Sequence, residues 1–260
     1  MANSRPKQEN LVRQKPNWKH LPTKVVRIPE VFESQVIELA RKLDNHTVSK
    51  EGLKKLLFYD VEIARCIPDK YGDNDPKYQY CGGWHDYTGM GIACIGVYTP
   101  KCGYQIFIQS DLEKFQALID DADEIIGFNS ISFDDRLLAA HGIRIKTSYD
   151  LLCEVRVASG QPPHYTLGQT RGGYSLERLA QANLGRGKSG NGELAPQLWQ
   201  DGKYTAVFDY CLDDVKLMVE LWNRRHWIKD PTRDKIYRLR GGSRIKNIAN
   251  KLTKSSRLKA

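Results

Sequence analysis

The chain has 260 residues, 40% of them hydrophobic and 27% charged, with a formal net charge of +9. That is enough sequence for one substantial core with extensions, at an ordinary globular composition. No stretch approaches the ~18 consecutive apolar residues of a membrane helix, and the basic start MANSRPKQENLVRQKPNWKH has no apolar run behind it, so neither a membrane span nor a secretory leader is expected and the chain is placed in the cytoplasm.

The position of the charge matters more than its sum. Eleven Lys/Arg against two Asp/Glu between Lys229 and Ala260 account for the whole excess. The first 28 residues are also basic, with seven Lys/Arg against Glu9 alone. Cationic ends around a neutral body suit a polyanionic partner, the plainer alternative being a solubilising tail. Six cysteines (66, 81, 94, 102, 153 and 211) include no C-x-x-C pair, so ordinary thiols are expected. A structural zinc site from Cys66, Cys81 and His85 is the minor alternative.

In chain order, residues 1 to about 28 read as a polar, Pro-containing arm. VFESQVIELARKL (31–43) has a helical apolar period, and a second short helix is capped near Ser49. LLFYDVEIA (56–64) is an apolar run broken by two acids, the pattern of a buried central strand. Residues 65–90 form a long Gly-, Pro- and aromatic-rich segment. GIACIGVYTP (91–100) and GYQIFIQ (103–109) are strands joined by a tight turn, followed by a helix over DLEKFQALIDDA. EIIGF (124–128) is a short strand leading to a helix at about 132–141, and IRIKTSYDLL (143–152) is a strand running into a helix. SLERLAQANLG (175–185) carries an N-cap Ser175 and a terminal Gly185. A Gly/Lys/Ser loop (185–193) precedes a long helix from about 203 to 226. This order predicts an α/β fold. Three antiparallel strands take parallel additions to make a mixed five-stranded sheet with helices on both faces. The domains are drawn as an arm and helix at 1–50, a central domain at 51–228 and a basic tail at 229–260.

Three acidic positions stand out. Asp60 and Glu62 are two apart and share one face of a buried strand, an expensive arrangement unless cations or hydrogen bonds compensate. Asp134 opens the helix after EIIGF and Asn129, with Asp135 as the alternative, and Phe133 precedes it. On the last long helix Tyr210 and Asp214 are stacked at i and i+4, beside the apolar row Val207, Cys211, Val215, Met218 and Trp222. Asp213 is expected to point outward. Each feature alone has a plain reading as a strand end, a helix cap or a local hydrogen bond.

Together, DVE at 60–62, NSISFD at 129–134 and YCLDD at 210–214 resemble, in order and type, the motifs of the DEDD exonuclease superfamily, in its tyrosine-type (DEDDy) branch. The resemblance spans about residues 55–226, includes GGYSLERLAQANLG and the basic loop after it, and is nearest to stand-alone phage or bacterial relatives of family-B polymerase proofreading domains. It implies an RNase H-like fold, a bacterial or phage-infected cell, and a two-metal 3′–5′ exonuclease releasing nucleoside 5′-monophosphates from single-stranded nucleic acid, DNA favoured over RNA. Two Mg²⁺ or Mn²⁺ ions would be held by Asp60, Glu62, Asp134 and Asp214, with Tyr210 orienting water. Asn129, Phe133 and Lys188 would grip the substrate. The partners implied are DNA or RNA 3′ ends, with the basic tail on the phosphate backbone, and replication or repair proteins; none is a membrane. The aromatic loop (Tyr78, Tyr80, Trp84, His85, Tyr87) would offer a stacking surface, and the tail residues Ile236, Leu239, Ile245, Ile248 and Leu252 have a helical spacing. The competing expectations are a catalytically degenerate nucleic-acid-binding module and an RNase H- or resolvase-type endonuclease.

Overall fold

The computed structural model of the chain describes residues 27–34, 36, 37, 40, 41, 54–187 and 194–239. The chain divides into two compact units, Met1–Leu53 and Lys54–Ala260. In the first, a 3-10 turn at Glu30–Phe32 runs into helical backbone at residues 33, 34, 36, 37, 40 and 41, inside the span expected to be helical. The helix expected near Ser49, the loop residues around Lys188 and the tail beyond Leu239 lie outside the described residues.

The larger unit is built on a five-stranded sheet. Its strands are β1 (Leu56–Ile63), β2 (Ile92–Thr99), β3 (Gly103–Phe107), β4 (Glu124–Gly127) and β5 (Tyr149–Asp150), in the order β3-β2-β1-β4-β5. β1–β2 and β2–β3 are antiparallel, whereas β4 and β5 add in parallel. This is the mixed α/β arrangement expected from the element order, and it is consistent with an RNase H-like fold. Around the sheet lie α1 (Tyr87–Met90), α2 (Leu112–Asp121), α3 (Asp134–Ala140), α4 (Leu151–Ala158), α5 (Leu176–Leu184), α6 (Ala195–Gln200) and α7 (Tyr204–Asn223). No described helix is long and apolar enough to cross a membrane.

β1 is apolar almost throughout because both of its faces are covered. Leu57, Tyr59 and Val61 enter a core with Phe115 and Ile119 of α2 and Leu137 and Leu138 of α3. Phe58 faces the opposite core, with Val155 of α4, Leu179 of α5 and Val215, Met218 and Trp222 of α7. The period of two thus sorts one strand into two cores. α5 has the ends its sequence implies. The Ser175 hydroxyl accepts the Arg178 amide, and Gly185 closes the helix at φ 73°.

Three elements differ from expectation. The strand expected over 143–152 is reduced to Tyr149–Asp150. Side chains replace its ladder: Gln116 bonds both the N–H and the C=O of Arg144, and Asp135 accepts the Thr147 amide. Short α6, absent from the sequence reading, carries Gln200, whose amide bonds Ala64 O and Gln79 O and ties the 65–90 segment down. Past residue 228, where the central domain was taken to end, the chain is still packed. β6 (Ile228–Lys229) and β7 (Ile236–Tyr237) form an antiparallel hairpin, and Leu239 is buried. Ile236 and Leu239 therefore belong to this hairpin segment and not to a tail helix.

Candidate active site

The site starts where two parallel strands part. β4 pairs with β1 only from Leu56 to Phe58 and ends at Gly127. β1 runs on past its neighbour, and Asp60 and Glu62 sit on that overhang. Ligand crevices of open α/β sheets form at such carboxyl ends. On its other edge β1 stays anchored to β2, with Asp60 opposite Gly96 and Glu62 opposite Cys94. Both acids continue the side-chain row begun by Phe58, so they face the layer that contains α7.

α7 reaches them because β2 is thin at one point. A Cβ on Gly96 would meet Cys211 Sγ at 2.9 Å, Cys211 O at 3.2 Å and Val215 Cγ2 at 3.2 Å. The glycine lets the helix backbone close on the strand, and its amide donates to Cys211 Sγ at 3.1 Å. Tyr210 and Asp214, one turn apart on that face, are both buried. Asp213 instead pairs with Lys216 at 2.7 Å, as expected of an outward residue.

The third segment turns sharply after β4. Asn129 takes φ 62°, the left-handed conformation that asparagine tolerates better than most residues. Ser130 folds back over Gly127, where a Cβ would lie 1.9 Å from its Oγ. Asp150 holds this turn from beneath. Its carboxylate accepts the amides of Asn129 and Ile131 and also caps α4 through Leu152 and Cys153. Burial raises the Asp150 carboxyl even against those four amides. The two adjacent acids now separate in role. Asp135 takes the Tyr59 hydroxyl at 2.6 Å and the Thr147 amide and hydroxyl, pinning α3 to the sheet. Asp134, buried, lines the cavity.

Asp60, Glu62, Asn129, Phe133, Asp134, Tyr210 and Asp214 all line one cavity of about 920 Å³. Burial, with Asp135 and Asp150 nearby, pushes the Asp134 carboxyl up to about 7. Asp60, Glu62 and Cys211 each bring a ligand atom within 4.8 Å of the others, a group that could hold a metal ion. Asp134 and Asp214 line the same cavity without joining that group. Burial, then Cys94 and the two carboxylates, push the Cys211 thiol well up. With no cation bound the thiol is held in its neutral form, and the donors that need no deprotonation are the carboxylate oxygens, which suit hard divalent cations. Cys66, Cys81 and His85 form no such group among the described residues.

Phe133 packs edge-on against Tyr87, ring centroids 5.9 Å apart, and so presents a braced edge to the cavity. Trp84, 65% exposed, lines this cavity and a second one beside it that is bounded by residues 66–74. Asp86 accepts the amides of Gly82 and Gly89 and closes the turn that carries Trp84. Sequence reasoning missed other residues of the cavity lining, Arg156 of α4 and Tyr165, Thr170 and Arg171 of the 159–174 loop. That loop has no periodicity to mark it. It also missed Asp150, whose signal was an acid directly before the apolar helix LLCEV.

No family model matches the chain, and no curated protein does. Among solved structures it is similar to the family B DNA polymerase from the hyperthermophilic archaeon Pyrobaculum calidifontis, at 17% identity and a TM-score of 0.44. The similarity covers 66% of this chain and 24% of the polymerase, so the chain spans about a quarter of that protein's length.

Proposed function

We propose that the larger unit is a metal-dependent 3′–5′ exonuclease that shortens single-stranded nucleic acid, DNA in preference to RNA, and releases nucleoside 5′-monophosphates. One observation carries this reading: carboxylates from three distant segments, Asp60 and Glu62, Asp134, and Asp214, line a single cavity with Tyr210 among them. Four acids gathered with this much burial repel one another and lose hydration, which makes little sense for a structural core but suits a cation site. Bound there, two Mg²⁺ or Mn²⁺ ions would neutralise the phosphate and ease deprotonation of water.

The protein's own groups do the rest. Asp60, Glu62, Asp134 and Asp214 supply the oxygens. Tyr210, one turn before Asp214, offers a hydroxyl that orients the attacking water by hydrogen bond. Asn129, fixed by Asp150, meets the terminal sugar or phosphate, and the braced Phe133 ring wedges against the terminal base. Lys188 and the basic residues beyond Leu239 would contribute charge for phosphates of the strand. Replication or repair proteins are the natural companions of such an enzyme.

The test uses 5′-labelled single-stranded DNA, RNA and duplex DNA with Mg²⁺, Mn²⁺ or chelator. A metal-dependent ladder shortening from the 3′ end is expected, strongest on single-stranded DNA and abolished by Asp60→Ala or Asp214→Asn. Undiminished activity in Asp60→Ala refutes the mechanism. Cleavage of a circular single strand assigns an endonuclease instead, and binding without shortening assigns a degenerate module.

A further inference from the structure

The cavity lining also includes a segment, residues 159–174, held by a hydrogen-bonded frame of its own. Arg171 lies in the 159–174 loop and lines the same cavity as Asp60 and Glu62. Its backbone amide donates to Gln161 Oε1 at 2.6 Å, and the Gln161 amide donates to Ser159 Oγ at 2.6 Å. Its guanidinium Nη2 donates to Ser159 O at 3.1 Å and to the Tyr174 hydroxyl at 3.2 Å. Gln161, Ser159 and Tyr174 are themselves buried, so the arginine hangs from a rigid frame.

The frame extends into the hairpin. The Tyr174 hydroxyl donates to Asp230 Oδ2 at 2.9 Å, and Asp230 also receives the Tyr237 hydroxyl and the Thr232 amide and hydroxyl. Burial opposes its charge, but these donors outweigh burial and hold the Asp230 carboxyl below its usual value. The result is a directed chain, from guanidinium to tyrosine hydroxyl to buried carboxylate, in which each bond polarises the next.

Among the described residues, the direct partners of Arg171 are neutral oxygens, and its Nε is buried without a hydrogen-bond partner. The guanidinium also lies over the Tyr174 ring, 5.9 Å from its centroid, with the Asp230 carboxylate behind that ring's hydroxyl. These contacts hold the cation on the lining of the cavity that also carries the acids, with Nε still to be satisfied.

We propose that Arg171 is a phosphate-contacting residue for the substrate strand, and that Tyr174 and Asp230 are positioning residues that tie its placement to the C-terminal hairpin. This rests on the exonuclease reading for the identity of the strand. Arg156, whose Nη1 bonds Pro163 O at 3.4 Å, lines the same cavity and is a second cation available to that strand.

The experiment measures binding of a 5′-fluorescein single-stranded DNA oligonucleotide by anisotropy, in EDTA and over a salt series, alongside turnover with Mn²⁺. Arg171→Ala is expected to weaken binding roughly tenfold, the scale of one charge-assisted contact, and to flatten the salt slope by about 0.7. Arg171→Lys restores part of both. Tyr174→Phe keeps the buried ring and leaves Asp230 the Tyr237 and Thr232 donors; with Tm checked alongside, it is expected to weaken binding by roughly threefold. Both variants raise KM and leave kcat within about twofold. The double variant Arg171→Ala/Tyr174→Phe binds like Arg171→Ala alone, because the tyrosine acts through the arginine. Wild-type binding and salt slope in Arg171→Ala overturn the proposal, and strictly additive losses overturn the positioning role of Tyr174. If wild-type protein binds the oligonucleotide but never shortens it, the exonuclease reading fails while the binding series still decides the role of Arg171.

Discussion

Replacing Asp134 with asparagine should stabilise the metal-free protein while disabling it. Asp134 is 6% exposed, and its carboxyl is pushed up to about 7 from 3.8, chiefly by burial. In the unfolded chain it titrates near the lower value, so between the two values folding takes up a proton. Stability therefore falls as the pH rises from about 4 to about 7, and above that range the full cost of ionising a buried acid is present. Three units at 1.36 kcal/mol each put that cost at about 4 kcal/mol, an upper bound because water entering the open cavity recovers part of it. Half of it still raises Tm by roughly 4–8 °C in a protein of this size.

The assay is thermal unfolding of wild type and Asp134→Asn in EDTA at pH 5, 6, 7 and 8. The gap should be smallest at pH 5, where rather more than a third of the cost is already present, and widen progressively to pH 8, the variant above the wild type throughout. Added Mn²⁺ should close the gap from below, because cations stabilise the ionised site of the wild type and do less for the variant. Parallel pH profiles, or a variant less stable than wild type at pH 8, would refute the argument that the acid is held at electrostatic cost.

Two further outcomes follow from packing. Gly96→Ala places a methyl 2.9 Å from Cys211 Sγ and 3.2 Å from Cys211 O; it should cost about 1–3 kcal/mol and lower kcat by more than tenfold by shifting Tyr210 and Asp214, checked by denaturant unfolding and single-turnover kinetics. Truncation after Arg240 removes six Lys/Arg and no acid; it should weaken oligonucleotide binding and flatten its salt dependence while leaving Tm in place, whereas truncation after Trp227 also removes buried Ile228, Asp230 and Leu239 and should lower Tm by several degrees. Equal salt slopes for the Arg240 truncation and the full chain would assign the tail another role.

What could be read from the sequence depended on whether a local pattern carried the structure. The acids inside the apolar run of β1 were visible because a buried strand has no other use for them. The caps of α5 were visible because Ser175 and Gly185 act within one turn of chain. β5 was overestimated because the alternation of Ile143 and Ile145 reports burial and says nothing of which partner takes the backbone, here the side chains of Gln116 and Asp135. The hairpin at 228–237 was invisible for a related reason. Its strands are two residues each, and its order comes from Asp230 gathering hydroxyls from Tyr174 and Tyr237. Asp60, Glu62, Asp134, Tyr210 and Asp214, singled out by spacing and by the motif resemblance, line one cavity, whereas Arg156 and Arg171, which line it too, lie in segments whose spacing marks nothing.

The position of the third acid also explains why the core beneath the site is made of small residues. An aspartate on a helix has a short reach, so Asp214 can share a cavity with Asp60 only if the α7 backbone sits close to the sheet. Between β2 and the helices α6 and α7 the fully buried residues are Ala93, Cys94, Ala195, Val207 and Cys211, with Gly96 beside them, while the larger Ile106, Leu198, Trp199 and Phe208 pack only at the partly exposed margin. Larger side chains would bury more apolar area, worth about 25 cal/mol per Å², but would lift α7 and carry Tyr210 and Asp214 away from β1. This layer gives up hydrophobic stabilisation where α7 closes on the sheet, and on the proposed function a cation bound among the carboxylates would return that energy. The small core and the buried acids are therefore one feature, and a variant that enlarges the core should lose the site before it loses the fold.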